Sequence, residues 1–184
     1  MKMKIRIHTY VYIYISALLF LIPFQWLLAW ITAVCFHEFC HWAAVKLCGG
    51  TVYCLSFDIA GVQMECTPLS DIKNLIAVLS GPIGGFILLF LGKWFPEAAV
   101  CSWFLSVYNL IPVRPLDGGN AVALLFKRKA NFQHIEQVIL SLLTIFAVYS
   151  SFFLQLGILP MAVVTGIWLR KRKIPCKHSH CRVQ

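Results

Sequence analysis

Three residues able to do chemistry together stand close in this chain: His37, Glu38 and His41, within Cys35-Phe36-His37-Glu38-Phe39-Cys40-His41-Trp42. On a helix, positions four apart share one face. Two imidazoles at that spacing can bind a single zinc ion, and a glutamate beside them can take the proton of an attacking water as a general base. From the chain's own histidine and glutamate frequencies, the pattern arises by accident in about 0.4% of sequences of this length. The plain alternative is a set of polar residues packed in a bundle interior.

A catalytic zinc site uses three protein ligands and leaves one position open. Seven acidic residues are available in the whole chain. Asp117 stands out among them, in Asn109-Leu110-Ile111-Pro112-Val113-Arg114-Pro115-Leu116-Asp117-Gly118-Gly119. The prolines break a helix there and the glycines let the backbone turn, so a carboxylate can point back towards the metal. Taken alone, Asp-Gly-Gly after prolines reads as a turn or a cap; beside His37 and His41 it reads as the third ligand. Asn109 offers an amide either to a substrate carbonyl or oxyanion or to an interhelical hydrogen bond.

These residues must be positioned inside a bilayer. The chain of 184 residues is 60% hydrophobic and 12% charged, with a mean hydropathy of +0.78, outside the range of soluble domains. Runs without a charged side chain cover residues 9–36, 74–92, 98–113 and 137–169, and a helix crosses hydrocarbon in about 20 residues. We therefore expect an α-helical polytopic membrane protein with about six spans, at 7–22, 25–47, 72–92, 97–113, 133–150 and 152–169. The last two form a hairpin around Ser150 and Ser151, and the first span is a retained anchor rather than a signal peptide. With both termini cytoplasmic, 15 of the 16 Lys and Arg residues fall inside, which meets the positive-inside rule. The basic excess of +9 then belongs to cytoplasmic loops and gives no reason to invoke nucleic acid. Within a span, the Glu38 carboxylate costs about 3 kcal/mol on insertion scales, so it must have a partner or a task.

Between Gly49 and Ser70 the pattern changes. Thr51 to Phe57 favours a strand, Asp58 to Gly61 a turn, and Val62 to Cys66 a return strand, together a short membrane-associated hairpin after the metal-binding helix; the alternative is a plain connecting loop. Cys35, Cys40, Cys48, Cys54 and Cys101 lie in or beside apolar segments and read as reduced thiols packed as small hydrophobes. Residues 1–169 form one domain. Residues 170–184 read as a short, mobile, basic cytoplasmic tail drawn to anionic lipid. The cysteines and histidines of 176–181 are too tightly spaced for a structural zinc knuckle.

The pairing of His37-Glu38-x-x-His41 on one span with Leu116-Asp117-Gly118 on another resembles the site-2 protease family of intramembrane zinc metalloproteases. The compact layout and the wording of residues 109–119 look most like the branch of the stage IV sporulation protease, with no CBS domain following the last hydrophobic run. The resemblance covers about residues 25–119. It implies one zinc ion held by His37, His41 and Asp117, Glu38 as catalytic acid and base, and Asn109 as a substrate or transition-state contact. Ser80-Gly81-Pro82 is similar to the family's Gly-Pro element, but Gly85 stands where relatives often have Asn, so packing or a kink is the expected role there. The implied activity is hydrolysis of a peptide bond in or near a transmembrane segment of a membrane-protein substrate, with the chain integral to a bacterial plasma membrane. An inactive relative that binds transmembrane segments, a transporter, and a hydrolase of lipids or small amides are the competing readings.

Overall fold

A computed structural model describes residues 4–7, 22–58, 61–126, 129–152, 164–168 and 181–183, with isolated positions in 9–20 and at 161. The His37-Glu38-x-x-His41 motif lies on α1 (Phe24–Leu47), a run without internal Gly or Pro. Gly49, at a φ of 82°, ends it. The amide of Gly50 donates to the Val45 carbonyl and that of Gly49 to the Lys46 carbonyl, the paired bonds of a glycine-terminated helix end. Next come the strands β2 (Val52–Asp58) and β3 (Gly61–Cys66), paired antiparallel as the strand-favouring residues on either side of the expected turn predict.

Two further strands join that hairpin. β1 (Lys4–Ile7) runs parallel to β2, and β4 (Cys181–Val183) pairs antiparallel with β3, giving the sheet order β1-β2-β3-β4. Both outer edges of the hairpin are thereby occupied. Residues 181–183, expected to lie in a mobile tail, are built into the sheet. Val52, Met64 and Cys66 pack against Ala44 and Val45 of α1, so the sheet sits on the end of the helix that carries the histidines.

The other helices are α2 (Asp71–Leu88), extended by a 3₁₀ turn over Leu89–Leu91, α3 (Pro96–Asn109), α4 (Asp117–Leu125) and α5 (Lys129–Phe152). Three of the described segments are long and apolar enough to cross a membrane: Phe24–Leu47, Asp71–Leu91 and His134–Ser151. The expected spans at 7–22 and 152–169 fall largely outside the described residues. The span expected over 97–113 is a helix that stops at Asn109, about 21 Å long at the usual rise. Pro112 and Pro115 supply no amide hydrogen to continue it.

A small set of polar side chains is buried while many large apolar ones face outward. His37, His41, Ser102, Ser106, Asn109, Asp117 and Glu136 are buried, while Trp30, Phe39, Ile76, Trp103, Leu142 and Phe146 are exposed. Apolar side chains face outward, and the few polar groups are kept inside among the apolar core, as lipid demands. α1 and α3 meet through the small side chains Ala29, Ala33, Ala98 and Cys101, which let the two backbones approach.

The turn expected at Ser150 and Ser151 does not form there, because α5 continues through both residues to Phe152. The Ser150 hydroxyl donates to the Ala147 carbonyl within the same helix, which satisfies it there. Described residues further along pack against α5: the Trp168 indole N–H donates to Thr144 Oγ1 at 3.4 Å, and Ile167 packs with Leu140.

Candidate metal centre

α1 places His37 and His41 one turn apart on its buried face, 2% and 0% exposed. Asp117, 1% exposed, begins α4 and reaches the same point from 80 residues further along the chain. His37 Nε2 stands 3.2 Å from His41 Nε2, and Asp117 Oδ2 stands 3.1 Å from the first and 3.3 Å from the second. Tetrahedral coordination at about 2.0–2.1 Å requires ligand atoms about 3.3–3.4 Å apart. The triangle matches that spacing. Among the described residues, these three form a group that could hold a metal ion.

Protonation favours the same reading. His41 Nδ1 lies 2.7 Å from the Ala77 carbonyl, which can only accept, so Nδ1 carries the proton and Nε2 presents its lone pair inward. That lone pair faces a carboxylate oxygen and a second imidazole nitrogen. Asp117 Oδ1 is also buried, with no hydrogen-bond partner. Electron-rich atoms converging in a buried space are stabilised by a cation among them.

α2 supplies the close wall of this space. A methyl group at Gly81 would overlap His41 Nε2 and lie 2.8 Å from His37 Nε2, so only glycine leaves the ligand atoms their room. One turn along, a methyl at Gly84 would overlap Cys40 Sγ, and one at Gly85 would overlap Ser106 Oγ. Ser80 donates to the carbonyls of Ala77 and Cys40 at 2.7 and 3.1 Å, joining α2 to α1 beside the histidines. Of the packing or kink expected at Ser80-Gly81-Pro82, Gly81 shows packing, directly against the imidazole nitrogens of His37 and His41.

Glu38 follows His37 on α1, half-buried, with its Oε2 buried. Asn109, at the end of α3, brings its Nδ2 to 3.4 Å from His37 Nε2, which sets the amide at the margin of the cluster. One residue beside the site went unremarked in the sequence: Glu136 of α5, 1% exposed, which holds Arg114 three positions before Asp117. Its signal was available, as a carboxylate on an apolar helix in a chain with seven acidic residues.

No known family model matches the chain, and no curated protein matches it at a significant level. Among solved structures, the chain is similar to the site-2 protease from Methanocaldococcus jannaschii, with a TM-score of 0.65 and 20% identity over 95% of this chain and 94% of that one. At that identity the two share a fold, a helical membrane architecture with a small sheet.

Proposed function

We propose that this chain is an intramembrane zinc metalloprotease of the site-2 type, which hydrolyses a peptide bond in or near a transmembrane segment of a membrane-associated protein. The observation that carries this reading is the buried convergence of His37 Nε2, His41 Nε2 and Asp117 Oδ2 at tetrahedral spacing, with Glu38 adjoining. By the wording of residues 109–119, the nearest branch is that of the stage IV sporulation protease. Six spans with cytoplasmic termini in a bacterial plasma membrane complete the proposal.

His37, His41 and Asp117 would hold one zinc ion. When bound, zinc polarises the scissile carbonyl and acidifies water to a pKa of about 7. Glu38 takes the proton of the attacking water and delivers it to the leaving amine. Asn109 donates to the carbonyl oxygen as it gains charge. Water must reach the buried site to serve as nucleophile, and burial strengthens each of these interactions.

A helical substrate has its carbonyls already hydrogen-bonded and must unwind to be cut. Strand pairing with the sheet would hold the extended segment, yet β4 occupies the outer edge of β3. A substrate strand pairing there must displace it. Deleting residues 181–184 is accordingly expected to raise the cleavage rate several-fold; an unchanged or lower rate would show that substrates do not pair with β3.

The function is tested by co-expressing membrane proteins with the parent chain and identifying products by mass spectrometry. New peptide termini within or beside transmembrane segments support the proposal. Lipid products without peptide cleavage would turn it towards lipid hydrolysis, and ion flux without either towards transport.

A further inference from the structure

The loop over residues 110–116 must be held rigidly, because it delivers Asp117 to the cluster. Part of that rigidity is steric. A methyl at Gly118 would overlap the Leu110 carbonyl, and one at Gly119 would overlap the Arg114 amide nitrogen and the Val113 carbonyl carbon, so the loop and the start of α4 lie in backbone contact. Val113 and Leu116, both fully buried, seat the loop on Leu140 and Ile167.

The loop also has polar fastenings: Asn120 Nδ2 donates to the Pro115 carbonyl at 3.2 Å, and Glu136 of α5 engages Arg114. Glu136 Oε1 accepts the backbone N–H of Arg114, and Glu136 Oε2 lies 3.3 Å from the Arg114 guanidinium. Both carboxylate oxygens thus engage one residue, through its backbone and through its side chain. A buried backbone N–H needs an acceptor, and the prolines around Arg114 prevent the loop from forming a regular helix that would supply one. A carboxylate on an apolar helix is unfavourable in a membrane and is kept where it has a task.

We infer that Glu136 is a positioning residue for the third metal ligand: by clamping Arg114 to α5 it fixes the loop that aims Asp117 at the two histidines. The inference rests on the metal-site reading above. Outer groups that orient metal ligands typically contribute 10- to 100-fold in metal affinity, roughly the effect expected here.

The test is cobalt binding to the full-length purified chain in detergent, after removal of bound metal, read as visible absorption and as a dissociation constant. Glu136→Leu, which fills the volume but accepts nothing, is expected to weaken cobalt binding roughly 10- to 100-fold. Glu136→Gln keeps an acceptor for the Arg114 amide and is expected to restore most of the affinity. Should the leucine variant fail to fold, Glu136→Asp decides: one methylene shorter, it must pull the loop, weakening binding and altering the absorption bands. Parental affinity and spectrum in Glu136→Asp, or in a folded Glu136→Leu, would overturn the inference. An Asp117→Ala control separates the two claims. If Asp117→Ala weakens cobalt and the Glu136 variants do not, only the positioning role falls; if the parent binds no cobalt, or Asp117→Ala binds it as tightly as the parent, the metal reading falls with it.

Discussion

Glu38→Gln is expected to reduce cleavage of a membrane-protein substrate by about 10²- to 10⁴-fold, the usual contribution of a general base, while fold and metal content stay parental. Gln keeps the size and shape of the side chain but cannot accept and return a proton. The convergent cluster comprises His37, His41 and Asp117, so a change at Glu38 leaves every proposed ligand in place. Comparing membrane fragments from cells carrying the parent or the variant reads the effect directly. Cleavage at the parental rate would remove Glu38 from the mechanism.

Gly81→Ala is expected to weaken metal binding without touching a ligand's chemistry. The added methyl would intrude on His41 Nε2 and His37 Nε2. Overpacking of this kind costs about 1–3 kcal/mol, which is about 5- to 150-fold in affinity when it falls wholly on the bound state. Gly84→Ala is the control. Its methyl would meet Cys40 rather than a ligand, so it should lower thermal stability and leave metal affinity near parental. Equal affinity for Gly81→Ala and the parent would contradict the packing described for α2.

Much of this arrangement is visible in the sequence because it follows from short-range rules. Helical spacing alone sets His37 and His41 on one face, and the scarcity of acidic residues directs attention to Asp117 across 80 positions. The β-favouring residues of 52–57 and 62–66, with a turn between them, give the hairpin for the same local reason. The other features depend on what the chain meets after folding. Lys4-Ile5-Arg6-Ile7 alternates like a strand, yet its charges read equally well as a cytoplasmic flank, and only β2 decides between them. Ser150 and Ser151 suggest a turn, but a serine can bond back within its own helix, as Ser150 does. Glu136 appears as one more charge on a helix until Arg114 is brought to it. Gly81 shows a small side chain in the sequence, whereas the histidine atoms filling that space belong to another helix.

The central claim is that His37, His41 and Asp117 jointly hold one zinc ion. Metal analysis of the purified chain, beside His37→Ala, His41→Ala and Asp117→Ala, tests it most directly. The account predicts about one zinc per parent chain and its loss or strong depletion in all three variants, each still folded. A parent chain without zinc, or an Asp117→Ala protein that keeps a full equivalent with parental affinity, would contradict it.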